Sequence, residues 1–327
     1  MLKKEFAEVG KTNVKVSCLG MGGAPLGGLF SDGGDLVARE SLEAAYEGGI
    51  RYFDTAPLYG SGVSENRFGA FLRTVPRDSF TLSTKVGRLI ESGDFADDSD
   101  HFPNAPKSKV TFNYSREGVL RSIDDSLSRL GLDRIDIVFI HDPDDHYREA
   151  IEEALPTLIE LRAQGIVKAI GAGMNQWEMC ARFALEGDFD VFLIAGRYTL
   201  LDHSALSEFL PICENRSISV VVGGPYNSGI LASDLGPDAT YFYEKASSEV
   251  IDRAKDIKRV CNRYKVPLKA AALRFGLLHP AVAATIPGAR SPEEVQDNIE
   301  MMSFEIPPIM WEELKDKNLL PSEMPSG

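Results

Sequence analysis

The sequence predicts a (β/α)8 barrel, a closed ring of eight parallel strands in which each strand is followed by a helix. Short β-branched runs alternate with amphipathic segments along the 327-residue chain, and eight such pairs can be counted. No break in composition divides the pairs. A doubly wound sheet usually has fewer strands and a phosphate-binding glycine motif near its start. We therefore expect one barrel domain spanning residues 1–327.

The predicted elements follow one another in the order of a barrel. A two-strand hairpin in residues 1–16 is expected to precede the barrel and cap its bottom. The barrel strands are predicted at 16–20, 50–54, 80–86, 135–140, 167–171, 190–194, 218–223 and 283–286. The helices are predicted at 35–48, 64–72, 115–130, 147–164, 175–186, 204–215, 246–264 and 292–301.

Two segments justify these assignments most clearly. In SREGVLRSIDDSLSRLGL, apolar residues recur at helical spacing from Val119 to Leu130, and Gly131 suits a helix C-terminus. The run IDIVFIHDP is apolar on both faces, as a parallel strand covered on both sides must be.

Two further segments lie outside this alternation. Residues 88–114 form a polar loop with several aromatic residues, longer than a structural turn requires, and we expect it to line the substrate site. Residues 306–327 form a proline-rich tail with a short helix.

Composition disfavours several classes of function. A net charge of -14 and a pI near 4.9 disfavour binding to nucleic acid or to anionic membranes. No stretch approaches the roughly 20 apolar residues of a membrane span, and MLKKEFAEVG lacks the apolar core of a secretory signal. The scattered cysteines fit reduced, buried thiols better than disulfides or a metal site. We expect a cytoplasmic protein that acts on a small molecule, without a metal.

Polar side chains are predicted where three neighbouring strands end. In a (β/α)8 barrel, the active site lies at the carboxyl ends of the strands. The second predicted strand ends in Asp54 with Tyr59 shortly beyond it, the third carries Lys85, and the fourth ends next to His141. Each residue alone has a structural explanation, since a strand-end lysine can be an ion-pair partner and a lone histidine is usually a core residue. Together they predict one catalytic site.

These side chains form a set suited to moving a proton on and off an alcohol or carbonyl oxygen. A tyrosine with its usual pKa near 10 is a poor acid or base at neutral pH. A nearby ammonium favours the tyrosinate and lowers that pKa, while an aspartate keeps the ammonium charged. We therefore expect Lys85 to hold Tyr59 as a tyrosinate, and His141 to hydrogen-bond the substrate oxygen.

The chain resembles the aldo-keto reductase family over nearly its whole length. The stretches that carry the resemblance are GGIRYFDTAPLYGSGVSENRFGAFL, STKVG, IDIVFIHDPD and ATIPGARSPEEVQDNIE. The resemblance implies that Asp54, Tyr59, Lys85 and His141 are the catalytic tetrad, with Tyr59 transferring the proton. It also implies hydride transfer to or from a nicotinamide dinucleotide held without a Rossmann fold.

By position, the resemblance assigns cofactor contacts mainly to loops at the carboxyl ends of the strands. These residues are Gly22, Gly23, Asp54, Asn175, Pro225, Tyr226, Asn227, Ser228, Gly229, Gly288, Arg290, Glu294 and Asn298. Two positions depart from the family, because its carboxamide-binding glutamine falls at Ala195 and its ring-stacking aromatic falls at Gly223. We expect Arg197 or Tyr226 to help position the nicotinamide instead.

The segment after the eighth strand predicts a preference for NAD over NADP. NADPH-using relatives place a lysine and an arginine where this chain has Gly288 and Glu294. A carboxylate repels a 2′-phosphate by about 1 kcal/mol at about 4 Å in water, and it can accept a hydrogen bond from a free 2′-hydroxyl. SPEE is also typical of a helix capping box with Ser291 as the N-cap. Arg290 could still contact a phosphate, so NADP stays open as the less favoured cofactor.

Within the family, YFDTAPLYGSG, NYSREGV, GAGMNQW and AGRYTLLD resemble the branch of D-threo-aldose (L-fucose) and pyridoxal dehydrogenases. The expected reaction is NAD-dependent oxidation of the anomeric hydroxyl of a sugar, or of the pyridoxal hemiacetal, to the lactone. Two alternatives stay open. One is an NADPH-dependent reductase of small aldehydes or ketones, and the other is a nucleotide-binding regulatory subunit without turnover.

Overall fold

The computed structural model describes residues 5–93, 102 and 104–325. Its strands are β1 (Phe6–Glu8), β2 (Lys15–Ser17), β3 (Met21–Gly22), β4 (Tyr52–Asp54), β5 (Thr81–Val86), β6 (Arg88–Ser92), β7 (Ser108–Phe112), β8 (Ile137–His141), β9 (Ala169–Met174), β10 (Val191–Ala195), β11 (Ser219–Gly223), β12 (Thr240–Tyr241), β13 (Glu244–Lys245) and β14 (Val282–Ile286). Its helices are α1 (Gly34–Glu47), α2 (Val63–Leu72), α3 (Arg116–Leu130), α4 (Tyr147–Glu149), α5 (Leu155–Ala163), α6 (Glu178–Glu186), α7 (Phe209–Arg216), α8 (Ser248–Arg263), α9 (Leu268–Phe275), α10 (Pro292–Ser303) and α11 (Pro308–Asp316).

Eight of these strands form one parallel sheet in the order β3, β4, β5, β8, β9, β10, β11, β14. The sheet closes on itself between its first and last strands. The Gly20 N–H donates to the Thr285 carbonyl at 2.9 Å, and the Gly22 N–H donates to the Pro287 carbonyl at 3.0 Å. Gly22 also forms a β-bridge with Gly288. The predicted (β/α)8 barrel is therefore confirmed.

The N-terminal hairpin covers the lower end of this barrel. β1 and β2 pair antiparallel, and Val9, Val14 and Val16 join the cluster of apolar side chains that fills the barrel interior. The Gly10 N–H donates to Ser219 Oγ at 2.8 Å, and Ser219 is the first residue of β11. The hairpin thus lies at the amino ends of the barrel strands, as predicted, and the opposite, carboxyl end forms the mouth of the barrel.

Two barrel strands differ from their predicted positions. The sequence predicts the first at 16–20, but residues 15–17 form β2 of the hairpin and the barrel strand is the short β3. Apolar alternation alone does not distinguish a strand below the barrel from one in its wall. The fifth strand is Ala169–Met174 rather than the predicted 167–171. The prediction missed its end because the glycines in this segment weaken the strand pattern. Gly171 is required there, since a Cβ atom would lie 1.9 Å from the Val191 carbonyl oxygen.

Three of the predicted helices are shorter or divided in the structure. A π-helical turn, Ala150–Ala154, interrupts the predicted helix 147–164 just before Pro156, which cannot donate a backbone hydrogen bond. The helices predicted at 175–186 and 204–215 begin at Glu178 and Phe209. Helix α9, which starts after Pro267, was not predicted.

The predicted loop 88–114 contains an antiparallel hairpin, β6–β7. Residues 94–101 and 103 of this segment lie outside the described residues, as do residues 1–4 of the predicted hairpin and 326–327 of the tail. The short helix predicted in the tail is α11.

The predicted burial of the cysteines is confirmed. All four cysteines are buried. Within the described ranges, no helix combines the length and the hydropathy needed to cross a membrane, and no group of His, Cys, Asp or Glu side chains there could hold a metal ion.

Helix α2 leads away from the loop that carries Tyr59, and it packs closely on α3. The contact depends on Gly69, because a Cβ atom there would lie 2.1 Å from the carbonyl oxygen of Leu130, the last residue of α3. An ion pair of 2.6 Å between Arg129 and the fully buried Glu65 joins the same two helices. This close contact fixes α2, and α2 in turn anchors the Tyr59 loop.

We expect Gly69→Ala to lower the free energy of unfolding by at least about 2 kcal/mol, because the backbone of α3 must move to admit the methyl group. The better helix propensity of alanine, about 1 kcal/mol, opposes this loss without offsetting it. Urea denaturation measures the difference. Gly236→Ala is the matched control, since a Cβ atom there meets nothing within 4 Å. Equal unfolding free energies for the two variants would contradict the close contact.

Candidate active site

The four candidate catalytic residues meet at the mouth of the barrel. Asp54 is the last residue of β4, Lys85 lies near the end of β5, and His141 is the last residue of β8. These three strands are neighbours in the sheet. Tyr59 lies in the loop after β4, with its ring centroid 5.9 Å from that of His141. The structure therefore brings all four side chains together, and their catalytic role stays a prediction.

A buried ion pair between Asp54 and Lys85 forms the base of this site. Lys85 Nζ lies 2.8 Å from Asp54 Oδ2 and donates a second hydrogen bond of 2.8 Å to the Thr55 carbonyl. Ser83 Oγ donates to the other carboxylate oxygen at 2.7 Å. The lysine is 1% exposed and the aspartate 2%. Burial lowers the pKa of Lys85, but attraction to Asp54 and Tyr59 outweighs burial, so the pKa is raised and the ammonium stays charged.

Tyr59 lies beside this ion pair and is partly exposed to the mouth. Lys85 Nζ is 4.6 Å from the centroid of the Tyr59 ring, and Phe102 stacks on that ring at 6.3 Å. Burial raises the pKa of Tyr59 to about 12, while Lys85 pulls it down and Asp54 raises it. The phenol is therefore protonated at neutral pH in this structure. The expectation of a standing tyrosinate is wrong here, because desolvation outweighs the ammonium.

His141, like Tyr59, is uncharged at neutral pH. Burial, together with the charges of Lys85 and Arg88, lowers the pKa of His141 well below its usual value, so the imidazole is neutral at neutral pH. Its Nδ1 is buried and has no hydrogen-bond partner among the described residues, whereas Nε2 lies 3.5 Å from Asp142 Oδ2. A neutral imidazole has one N–H, which can donate to a substrate oxygen.

Two charged residues of the mouth were missed from the sequence. Arg88 and Asp142 form an ion pair of 3.2 Å, and burial raises the pKa of Asp142 to about 6. Asp142 directly follows His141 in HDPD, and a carboxylate beside a strand-end histidine is the signal that could have identified it. Arg88 is the first residue of the segment 88–114, which the sequence assigns to the substrate only as a whole.

The glycines assigned to the cofactor also have a packing role. A Cβ atom at Gly23 would lie 2.6 Å from the Asp54 carbonyl oxygen, and one at Gly288 would lie 2.5 Å from Pro25 Cγ. Gly22 takes part in barrel closure. The missing lysine at position 288 thus has a steric reason, since a side chain fits there only if Pro25 moves.

The loop after β11, from Pro225 to Gly229, has features of a cofactor cradle. Asn227 and Ser228 adopt left-handed φ values of 47° and 56°, and Gly229 follows at 98°. Asn227 is buried, and its Oδ1 has no hydrogen-bond partner within the described part of the chain. A buried amide oxygen in this position fits a ligand that supplies a donor, such as a ribose hydroxyl of a nicotinamide dinucleotide.

Other residues assigned to the cofactor bond one another or the mouth. The Tyr226 O–H donates to Asn298 Oδ1 at 2.6 Å. The Asn175 carbonyl accepts a hydrogen bond from Arg197 Nε at 2.7 Å. The hydrogen bonds of Tyr226 and Arg197 hold both residues at the carboxyl end of the barrel.

The two departures from the family pattern lie side by side. Ala195 and Gly223 are register partners at the ends of β10 and β11. Two small residues thus replace a glutamine and an aromatic at adjacent positions. Arg197, two residues beyond Ala195, contacts the Asn175 loop on one side and Asp202 on the other.

Glu294 and Arg290 bind each other. The Arg290 N–H donates to Glu294 Oε2 at 2.8 Å, and the guanidinium lies 3.0 Å from Oε1. Ser291 Oγ accepts from the Glu294 N–H at 3.3 Å, so Ser291 is the N-cap of α10 as the capping box predicts. The cation that could contact a phosphate is therefore already paired with a carboxylate.

A closed (β/α)8 barrel whose mouth joins an aspartate, a lysine, a tyrosine and a histidine is typical of a nicotinamide-dependent oxidoreductase. The model of the Aldo/keto reductase family matches residues 19–319, so the chain belongs to this family.

Two curated relatives and one solved structure extend this result. D-threo-aldose 1-dehydrogenase of a Pseudomonas species is 40% identical over 316 residues, which cover 94% of this chain and 95% of the relative. Pyridoxal 4-dehydrogenase of Microbacterium luteolum is 38% identical over 336 residues, which cover 97% of this chain and 98% of the relative. The glycerol dehydrogenase of Gluconobacter oxydans superposes with a TM-score of 0.80 at 22% identity, covering 99% of this chain and 98% of that chain, and supports the fold alone.

We expect Lys85→Met to destabilise the fold by roughly 3–5 kcal/mol, because it leaves the Asp54 carboxylate buried without a counter-charge. The double variant Asp54→Asn, Lys85→Met removes both charges and should recover most of this loss. Urea denaturation of both variants measures the coupling. Lys245→Met is the control, since its ion pair with Asp238 is exposed and contributes little. A double variant no more stable than Lys85→Met would refute the coupling.

Proposed function

We propose that the protein is an NAD-dependent dehydrogenase. Its substrate is the anomeric hydroxyl of a sugar of the L-fucose or D-threo-aldose type, or the hemiacetal of pyridoxal, and its product is the lactone. The observation that carries the proposal is the buried Asp54–Lys85 ion pair beside Tyr59, with the ring of the neutral His141 next to the phenol. The names of the two relatives that are about 40% identical support the substrate class.

The four side chains divide the proton chemistry among them. Oxidation removes a proton from the anomeric hydroxyl and a hydride from the anomeric carbon, and nicotinamide supplies the hydride acceptor when it is bound. Tyr59, once deprotonated, accepts the hydroxyl proton, and the ammonium of Lys85 stabilises the phenolate. Asp54 holds the ammonium in place and keeps it charged. His141 donates a hydrogen bond that orients the reacting oxygen.

The preference for NAD rests on the segment around α10. Glu294 would face a 2′-phosphate with a negative charge, whereas a free ribose 2′-hydroxyl can donate to the same carboxylate. Arg290 is paired with Glu294, and Gly288 carries no cation. The residues assigned to the cofactor therefore include no unpaired cation that would favour a phosphate. A cytoplasmic location and a single domain over 1–327 stay predictions.

A substrate panel with both cofactors tests the proposal. We expect NADH formation from L-fucose, another D-threo-aldose or pyridoxal, and a higher kcat/KM with NAD than with NADP.

Glu294→Gln removes the repulsion between the Glu294 carboxylate and a 2′-phosphate, which is about 1 kcal/mol. The variant should therefore have a kcat/KM with NADP that is several-fold higher than that of the wild type. Glu300→Gln, farther along α10 and exposed, is the control. Better use of NADP by the wild-type protein would favour the reductase alternative, and an absence of turnover with every substrate would favour the regulatory subunit.

Tyr59→Phe should abolish turnover while leaving NAD binding nearly intact, because only the hydroxyl is lost. In the wild type, a Tyr59 pKa of about 12 means that the phenolate fraction rises with pH throughout the neutral and alkaline range. The rate of oxidation should therefore climb from about pH 7 to about pH 10, and the rate of reduction should not. Steady-state pH profiles in both directions measure this. Substantial oxidation by Tyr59→Phe would exclude the assigned role.

A further inference from the structure

An ion pair at the mouth, Arg88–Asp142, takes no direct part in the chemistry described above, where Arg88 only helps to lower the pKa of His141. Arg88 is the first residue of β6 and Asp142 directly follows β8, so the pair lies beside His141. The two side chains are 19% and 15% exposed, which lets a ligand in the mouth reach both. The pair could serve only to hold the β6–β7 hairpin against the barrel. Two further observations favour a ligand.

The backbone of Asp142 is held in an unfavourable conformation. Its φ is +37°, in the left-handed region that few residues other than glycine adopt, and the following residue, Pro143, disfavours helical conformations before it. The Asp142 N–H donates to the Gly173 carbonyl at 3.0 Å, which helps to hold this conformation. Strain of this kind is concentrated at functional sites, where it holds a side chain in a required position. Here the carboxylate lies 3.5 Å from His141 Nε2.

Arg88 has an unused hydrogen-bond donor. One terminal nitrogen contacts the Asp142 carboxylate at 3.2 Å, and the guanidinium carbon lies 5.1 Å from the centroid of the Phe112 ring. Its Nε–H is buried and has no acceptor among the described residues. A buried N–H without an acceptor is unfavourable, so a ligand oxygen that accepts from it is strongly preferred over an apolar group.

The position of the pair determines which substrate oxygen it can reach. In the proposed reaction, the reacting oxygen lies between Tyr59 and His141. Oxygens on adjacent carbons are separated by about one hydrogen-bond length, and Asp142 Oδ2 lies at a similar distance from His141 Nε2. An oxygen on the carbon next to the reacting carbon therefore lies within reach of Asp142.

We propose that Arg88 and Asp142 form a subsite for the 2-hydroxyl of an aldopyranose, an inference that rests on the proposed function. The carboxylate accepts a hydrogen bond from this hydroxyl and the guanidinium donates one to it, which matches a group that is both donor and acceptor. A 2-deoxy sugar leaves both charged groups without that partner. Sites built to bind a hydroxyl reject analogues that lack it. The substrate class is thus narrowed to cyclic hemiacetals that carry a neighbouring hydroxyl.

A pair of matched substrates, L-fucose and 2-deoxy-L-fucose, tests the subsite with NAD. The wild-type protein should favour L-fucose in kcat/KM by about 10- to 100-fold. Asp142→Asn keeps the backbone conformation accessible, because asparagine tolerates left-handed φ, and it removes the charge. We expect it to reduce this preference at least about fivefold, as hydrogen bonds to charged groups are the stronger ones. The ratio cancels general effects on Tyr59 or His141, so a merely structural role would leave it unchanged.

Two more variants complete the experiment. Asp144→Asn is the matched control, since this exposed carboxylate accepts from Gln176 Nε2 at 2.9 Å and should leave the preference at its wild-type value. Arg88→Lys keeps the charge but loses the planar donor group. Its preference for L-fucose over 2-deoxy-L-fucose should fall between those of the wild type and Asp142→Asn. It also provides the ratio if Asp142→Asn folds poorly.

The outcomes separate this proposal from the one on which it rests. A preference that is absent in the wild type, or equal in wild type and Asp142→Asn, overturns the subsite and leaves the dehydrogenase standing. Oxidation of pyridoxal without oxidation of any aldose also overturns the subsite and leaves the dehydrogenase standing. Failure to oxidise any aldose or pyridoxal overturns the proposed function and the subsite with it.

Discussion

The buried ion pair between Lys85 and Asp54 is the interaction on which the rest of the site depends. Two charges inside an apolar barrel are tolerated only when each keeps good partners, and the Thr55 carbonyl and Ser83 hydroxyl supply the remaining hydrogen bonds. Because these partners lie on β4, on β5 and just after β4, the pair forms only when the two strands are in register. The apolar interior, covered from below by the N-terminal hairpin, also strengthens the field of the ammonium at the adjacent phenol.

The same burial shifts the pKa values of the two titratable groups above the pair, Tyr59 and His141, in opposite directions. It raises the pKa of Tyr59 to about 12 and lowers the pKa of His141. The phenol and the imidazole are therefore both neutral at neutral pH, although one is an acid and the other a base. Environments that separate pKa values in this way assign roles to the groups, since the phenol is left as the proton donor and acceptor and the imidazole as a hydrogen-bond donor.

Local pattern and fold rules were sufficient to predict the barrel, its cap and the meeting of Asp54, Tyr59, Lys85 and His141. Alternating strands and helices define the ring, and polar residues at strand ends must then share one mouth. The predictions that were wrong concern features that depend on tertiary context. The segment 16–20 has the apolar alternation of a strand in the barrel wall, yet part of it lies below the barrel. Glycines that close packing requires in β9 weakened the strand pattern there, so the predicted bounds of this strand were wrong. The protonation of Tyr59 and the position of Asp142 follow from desolvation and from a strained backbone, neither of which a one-dimensional pattern reports.

The closure of the barrel between β3 and β14 links the two ends of the chain through very few hydrogen bonds, and β3 is only two residues long. Closing a ring between such distant segments is entropically demanding, so a ligand that contacts both segments can stabilise the closed ring. Gly22 and Gly288, which bridge the junction, are also residues that the family resemblance assigns to the cofactor. A dinucleotide bound to both glycines would hold the first and last barrel strands together and stabilise the closed barrel. Folding and cofactor binding would then be thermodynamically linked, and the abundance of the intact barrel would follow the concentration of its cofactor.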